Sequence, residues 1–269
     1  MQNLEVTYLG WSGFRIDWPG GPRLLIDPPA GVLLPADRPL FILITHGHPE
    51  HLGGVRALLA GASPATITIC ASPAINRSLS RRTGRRSVTF VDAHAGERVT
   101  LADGVEVEIF LWKHLPLLPP GGVVSAIAHL LALASRPLLA ARIVRAGIAG
   151  PRPDPMLGFR IIIGEKRILA YGEGLHRLCT PPEAARAARG CEGQTLLAAV
   201  EPEDAEHLPD LICAAKPGRV LLYEPHARWR DAFRMPRADL NALARVLRQR
   251  GVEAAICEAE PGKSMTTNT

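Results

Sequence analysis

The sequence has no closely spaced cysteine pair. Its five cysteines, Cys70, Cys179, Cys191, Cys213 and Cys257, are odd in number and scattered, with no CxxC unit. This excludes a disulfide framework and a cysteine zinc knuckle, and it suits a reducing compartment. No uninterrupted apolar run is long enough to span a bilayer. The opening stretch, Met1 to Tyr8, has neither the basic segment nor the apolar core of a secretory signal, so a cytoplasmic location is the expectation. No repeat of fixed period is present, which excludes a solenoid. Nor is basic charge sharply concentrated. The formal charge is +5 and the pI about 9.2, with the excess spread as arginine through a chain rich in Ala, Gly and Pro. A nucleic-acid binder concentrates such charge more tightly. The densest basic run, residues 76–86, lacks the interleaved aromatics that would stack on bases. It reads as a solvated helix end or as a site of attraction for phosphate or anionic lipid. No nucleic-acid partner is expected.

What is present is a globular chain of 269 residues, 47% hydrophobic, long enough to bury a large core without covalent staples. Residues 4–9, 13–17 and 23–27 are short apolar or alternating runs separated by turn signals such as Pro19-Gly20-Gly21-Pro22. Phe41-Ile42-Leu43-Ile44 is wholly apolar, as in a strand covered on both faces. Further strands are predicted at 66–70, 87–91 and 105–111, with helices at about 50–60 and 72–82. The second half repeats the theme. A hairpin is predicted over 159–171 and a helix over 181–190. Strands follow at 196–200 and 219–223 with a helix between them. An amphipathic helix at 237–251 and a strand at 253–257 complete the set. The tail from Pro261 to Thr269 is polar and reads as mobile. Two strand-rich halves, each closed by helices, point to an α/β domain of two packed sheets with helices outside. One segment, at about 115–157, breaks the pattern. It carries an apolar helical stripe of Val123, Val124, Ile127, Leu130, Leu131 and Ala134, bounded by Pro/Gly-rich joints, and reads as an insertion.

The chemistry concentrates in Thr45-His46-Gly47-His48-Pro49-Glu50-His51, directly after the apolar strand. Residues two apart in extended backbone point the same way, so His46 and His48 can share one metal ion. Glu50 and His51, at the start of the next helix, can face a second. Imidazole and carboxylate donors suit zinc. Gly47 gives the chain freedom to turn, and Gly53-Gly54 allow close packing around the loop.

This run resembles the HxHxDH motif of the metallo-β-lactamase superfamily. Tyr8-Leu9-Gly10-Trp11-Ser12-Gly13-Phe14, followed by Leu24-Leu25-Ile26-Asp27-Pro28, is similar to the start of the branch that holds ascorbate-6-phosphate lactonase-like proteins and many uncharacterised hydrolases. The resemblance runs in order along almost the whole chain and leaves out the insertion. It implies a four-layer αββα sandwich with a helical insertion, a single domain over 1–269, and a dinuclear site at one edge of the sheets. It assigns His46, His48 and His114 to the first metal, Glu50, His51 and His226 to the second, and Glu173 to a bridging position. Asp27, at a strand end, is assigned the orientation of ligands by hydrogen bonds. His114, Glu173 and His226 each follow a strand, and rigid sites are built at such ends. The family has Asp where this chain has Glu50 and Glu173. Each change keeps the charge and lengthens the arm by one methylene, and Glu50 is then either a ligand or a general base. Trp11 stands where relatives often have His.

The implied function is that of a metal-dependent hydrolase. Two divalent ions, zinc first and manganese or iron as alternatives, would generate a hydroxide that attacks a phosphodiester, ester or lactone. Glu50, Glu173 and His176 are the candidate catalytic groups. His176, three residues beyond Glu173, is read as a proton donor or as a surface residue at a helix start, while His94 and His207 read as surface groups. Arg228 and Arg230, flanking Trp229, are anion-binding candidates. The apolar insertion leaves His114 directly. It is read as a lid for an amphiphilic or lipid-like small molecule, as a peripheral membrane contact, or as extra core or a homo-oligomer contact. The competing functional reading is a non-catalytic metal- or ligand-binding protein whose site has degenerated through the two Asp-to-Glu changes.

Overall fold

Leu40-Phe41-Ile42-Leu43 can be apolar at every position because the strand it forms is covered on both faces. In the computed structural model of the protein, Phe41 and Leu43 point into the space between two sheets, while Leu40 and Ile42 point under helices. The same alternation sorts Leu24 and Ile26 from Leu25 one strand away. The structure describes residues 3–32, 37–60, 66–81, 88–113, 127, 131, 134–138, 140–141, 155–172, 181–202 and 207–267.

The first sheet contains β1 (Leu4–Gly10), β2 (Gly13–Asp17), β3 (Arg23–Ile26), β4 (Leu40–Leu43), β5 (Ile67–Ala71) and β6 (Val88–Asp92). The second contains β7 (Arg98–Ala102), β8 (Val105–Trp112), β9 (Met156–Ile163), β10 (Lys166–Ala170), β11 (Thr195–Ala199), β12 (Arg219–Tyr223) and β13 (Ala255–Glu258). The last strand, β14 (Ser264–Thr267), returns to the first sheet. The two orders are β14-β1-β2-β3-β4-β5-β6 and β13-β12-β11-β10-β9-β8-β7. Each sheet is antiparallel on one side and parallel on the other. Strands β3 to β6 run parallel in the first, and β10 to β13 in the second. The parallel crossovers are what require helices on the outer faces.

Those helices are α1 (Pro49–Ala60) and α2 (Pro73–Ser80) on the first sheet, and α3 (Pro181–Ala188), α4 (Leu208–Ala215) and α6 (Leu240–Gln249) on the second. A short α5 (Ala227–Phe233) follows β12. Three apolar clusters result. One lies between the sheets, joining Phe14, Ile16 and Leu43 to Ile109, Phe159 and Tyr223. The other two lie under the outer helices. This is the αββα sandwich.

Two strand expectations need correction. The polar tail is not loose: β14 pairs antiparallel with β1, with Leu4 opposite Thr267 and Thr7 opposite Ser264. Without it β1 would be an edge strand with open hydrogen-bonding groups, and Met265, the one large apolar residue of the segment, packs against the inter-sheet core. The strand β7 lies outside the strands expected from the sequence: it is a short edge strand, at most half-buried, in which Val99 and Leu101 alternate with the exposed Arg98 and Thr100. The insertion also ends slightly earlier than expected, since β9 begins at Met156. Of its predicted stripe, Ile127, Leu131 and Ala134 are described. Ile127 and Leu131 are 51% and 66% exposed, and Leu138 is 82% exposed. No described helix is long and apolar enough to cross a membrane.

Candidate metal centre

In open sheets, ligands gather where parallel strands end. Here Asp27 follows β3, Thr45 to His51 follow β4, Glu201 follows β11 and His226 follows β12. Each polar residue sits just past the apolar, buried end of its strand, where the chain leaves the core.

Asp27 is the hub on the first sheet. It is buried and holds a left-handed backbone, φ +42°, which is uncommon for a residue with a side chain. Its Oδ1 accepts the Thr45 amide at 2.8 Å and its Oδ2 accepts the Thr45 hydroxyl at 2.6 Å. The same Oδ2 lies 2.8 Å from His51 Nδ1, both side chains being almost fully buried. Thr45 Oγ1 in turn lies 2.9 Å from His46 Nδ1. A hydroxyl has one proton. Thr45 gives it to Asp27, so toward His46 it acts as acceptor and His46 Nδ1 carries the hydrogen. Both His46 and His51 are thereby set as Nδ1–H tautomers with the lone pair on Nε2.

The rings converge. His46 Nε2 is 3.0 Å from His48 Nδ1, and the His46 and His51 ring centroids are 3.9 Å apart. Glu50 Oε1 is 3.7 Å from His48 Nδ1. Two nitrogens on one tetrahedral zinc, with bonds of about 2.0–2.1 Å, stand roughly 3.4 Å apart. The His46–His48 spacing is near that value, and the donors are of the right chemical type, so this part of the set fits a divalent cation. Among the described residues no three such side chains form a complete metal-binding group. His114, Glu173 and His176 lie outside the described residues. Their flanks do not: the Trp112 ring stands edge-on to His46 at 5.7 Å, and its Nε1 donates to Leu157 O at 2.9 Å. Leu157 N donates to Thr45 O at 2.9 Å, which ties β9 of the second sheet to the histidine loop. Gly172 abuts the same indole so closely that a Cβ there would lie 2.3 Å from it. The chain preceding His114 and the chain preceding Glu173 thus meet beside His46.

The start of the loop after β3 is tightly seated against α1. Gly54 N donates to Pro28 O at 2.8 Å, and a Cβ on Gly54 would lie 2.4 Å from that oxygen. A Cβ on Gly53 would meet Ala30 at 2.7 Å. Gly47, expected to supply turning freedom, does not use the left-handed region.

On the second sheet, His226 Nδ1 is 2.6 Å from Glu201 Oε1. Glu201 is buried, and its Oε2 accepts from Nε of Arg230 at 3.0 Å and also from Nη2 of that residue. Arg230 is therefore committed to Glu201 and to Pro236 O, and it is not the surface anion-binding group expected from its neighbourhood in the chain. Arg228 is exposed. Trp229 meets Trp11 edge-on at 5.9 Å, joining the β1–β2 turn to α5. Trp11 holds φ +55°, and its carbonyl accepts from the Tyr8 hydroxyl at 2.7 Å. Burial, with the Glu224 carboxylate beside it, pushes the Tyr8 phenol above its usual range, so it stays a neutral donor. Within the basic run, Asn76 is buried and bonds Ala71 O, Val91 O and Asp92 Oδ1, which makes it part of the frame. His94 and His207 are exposed.

Glu201 was missed in the sequence. Its signal is the one that marks Asp27: an acidic residue directly after an apolar run, Leu196 to Val200 here and Leu24 to Ile26 there. A cleft lined by Trp18, Asp103, Glu165 and Lys166 lies at the β7–β8 and β9–β10 turns, the opposite ends of strands β8 and β9 from the histidines.

No family model matches the chain. A stretch of 64 residues is 38% identical to a UPF0173 metal-dependent hydrolase of Chelativorans sp. (strain BNC1), covering 21% of this chain and 27% of that protein. Solved structures match over nearly their whole length, three of them as follows. Igni18, a novel metallo hydrolase from the hyperthermophilic archaeon Ignicoccus hospitalis, matches with TM-score 0.67 and 16% identity, covering 99% of each chain. The metallo-β-lactamase fold protein YhfI from Bacillus subtilis matches with TM-score 0.63 and 13% identity, covering 99% of this chain and 100% of that one. Zn²⁺-bound PqqB from Methylobacterium extorquens matches with TM-score 0.53 and 14% identity, covering 98% and 99%. Two facing mixed sheets with helices outside, and likeness of this extent to solved examples, establish that this chain is a metallo-β-lactamase-fold protein.

Proposed function

We propose that the chain is a metal-dependent hydrolase acting on a phosphodiester, ester or lactone. The observation that carries this reading is the Asp27–Thr45–His46–His51 network, in which a buried carboxylate and one hydroxyl proton set two histidines as Nε2 donors. His46, His48 and His114 would hold one divalent cation, Glu50, His51 and His226 a second, with Glu173 between them. Imidazole and carboxylate donors, and the zinc in PqqB, favour zinc. Bound cations would supply the Lewis acidity that makes water a nucleophile at neutral pH and polarises the phosphoryl or carbonyl group. The protein's own groups move the protons. Glu50 lies partly open to solvent beside His48; where it serves as general base in place of ligand, it accepts the proton of the attacking water. His176 returns a proton to the leaving oxygen. Asp27 and Thr45 hold the imidazoles still while this happens. Arg228, exposed two residues beyond His226, supports an anionic group on the substrate, and the exposed Ile127 and Leu131 support an amphiphilic one.

The second reading is a binding protein with a degenerate site. It is favoured by Glu50 and Glu173 standing where the family has Asp. Elemental analysis of protein purified without chelators separates the two. About two ions per chain, with hydrolysis in a panel of phosphodiesters, esters and lactones, is the expected result. One ion or none after metal is supplied, together with an inert panel, would replace hydrolysis with binding.

A further inference from the structure

Two of the site histidines have a buried carboxylate on Nδ1, and the two carboxylates come from different sheets. Asp27 stands behind His51 at 2.8 Å. Glu201, from the end of β11, stands behind His226 at 2.6 Å. We infer that Glu201 is the positioning residue that fixes His226 as an Nδ1–H tautomer and delivers its Nε2 lone pair to a divalent cation, an inference that rests on His226 being a ligand of the proposed metal site.

The surroundings of Glu201 explain why it acts through His226. Its side chain is 2% exposed, so an ionised carboxylate there needs compensation on both oxygens. Arg230 supplies it on Oε2, where its Nε and Nη2 both donate, and this leaves Oε1 for a second partner. Oε1 is thereby turned to His226. Facing a carboxylate, Nδ1 must carry a hydrogen, and the lone pair is then on Nε2. The arginine is itself held: its Nη1 donates to Pro236 O at 3.0 Å, and Glu224 Oε1 lies 3.6 Å from its Nε. Glu224 in turn accepts from Arg237 Nε at 2.6 Å and from Ala238 N at 3.3 Å. A chain of alternating charges, Glu201, Arg230, Glu224 and Arg237, thus braces the loop after β12 against the loop after α5. The β12 register carries the same order, since Val200 N donates to Tyr223 O and brings the two strand ends side by side.

Glu201→Gln is the informative change. A glutamine keeps the shape but cannot accept on both sides. If its oxygen serves His226, its NH2 faces the arginine donors. If its oxygen serves Arg230, its NH2 faces Nδ1 and drives the hydrogen to Nε2, which removes the ligand. Two measurements test the inference. Zinc titration by calorimetry should show affinity falling by about 10- to 100-fold in Glu201→Gln, with partial recovery in Glu201→Asp, which restores the charge. Long-range ¹H–¹⁵N spectra of the unaltered protein should show His226 protonated on Nδ1, a readout that does not depend on the variant folding. An Nε2–H tautomer in that spectrum, or unchanged zinc affinity in a folded Glu201→Gln protein, overturns the inference. His226→Ala distinguishes the two levels. If it weakens zinc and Glu201→Gln does not, only the role of Glu201 falls; if His226→Ala leaves zinc binding untouched, the site reading itself falls.

Discussion

At the scale of single residues, the site depends on which atom carries which proton. Thr45 is the simplest place to test this. Thr45→Val keeps the volume and removes the hydroxyl that links Asp27 to His46. Zinc affinity should fall by about 10- to 100-fold. Unfolding free energy should drop by about 1–3 kcal/mol, because Asp27 Oδ2 and His46 Nδ1 lose a partner in a buried setting. Calorimetric titration and urea unfolding read the two effects separately. Proton placement also shapes alkaline stability. Burial pushes the Cys70 thiol from 9.0 to about 12 and the Cys191 thiol from 9.0 to about 11. Both stay protonated when folded at a pH where the unfolded chain has lost the proton. The unfolded state then binds fewer protons, so stability is intact below about pH 9 and falls as pH rises toward 11–12. Urea unfolding at pH 8, 10 and 11 should show that decline. Cys70→Ala, compared with its own stability at pH 8, should show a shallower one; equal slopes would remove Cys70 as a source.

Elements carry the next level. The contact between α1 and the loop after β3 is made by Gly54, whose missing Cβ leaves room for the Pro28 carbonyl. Gly54→Ala must push α1 off that loop, and the lever is short: His51 lies on the same helix and Asp27 in the same loop. A loss of about 1–3 kcal/mol is expected, with weaker zinc binding in the folded fraction, measured by thermal melts and titration. The terminal strand is the second case. Removing residues 264–269 deletes four antiparallel pairs with β1 and the Thr7–Ser264 side-chain hydrogen bond. The cost should be roughly 1–4 kcal/mol. Aggregation should rise because β1 becomes an open edge, which light scattering detects. An unchanged melting temperature would mean that β14 contributes nothing to the sheet. The two kinds of strand differ in how legible they are in the sequence. The buried strand β4 announces itself by four consecutive apolar residues, whereas β14 is Ser-Met-Thr-Thr and has the composition of a loop. Its pairing depends on an edge far away in the chain, with Thr7 opposite Ser264 and Leu4 opposite Thr267, which only the closed fold brings alongside.

In the proposed centre, metal would couple to the folding of the whole molecule, because the histidines and the carboxylates behind them come from both sheets. Asp27 and His51 belong to the first, Glu201 and His226 to the second. A cation shared between them resists separation of the sandwich. With zinc at about 100 times its dissociation constant, stability should rise by about 2.7 kcal/mol over the chelated protein. For a chain of this size that is a melting-temperature increase of roughly 5–10 °C. Scanning calorimetry with zinc and with EDTA checks it, and superposable melts would place the ion outside the folded framework.

The sequence by itself determined the residues with the right chemistry and their places at strand ends. His46, His48 and His51 crowd behind an all-apolar run, and apolar runs report burial directly because period and hydrophobicity are local properties. The same locality let the two-sheet architecture be read from alternating and continuous patterns. Only the tertiary structure decided which partner stands behind which histidine. Asp27 reaches His51 and Glu201 reaches His226 across stretches of chain whose path no local pattern specifies. It also decided that Arg230, which beside Trp229 reads in the sequence as an anion-binding candidate, is committed to a buried carboxylate. Hydrogen-bond partners are set by strand order and register, and those follow from how the whole chain closes its two sheets.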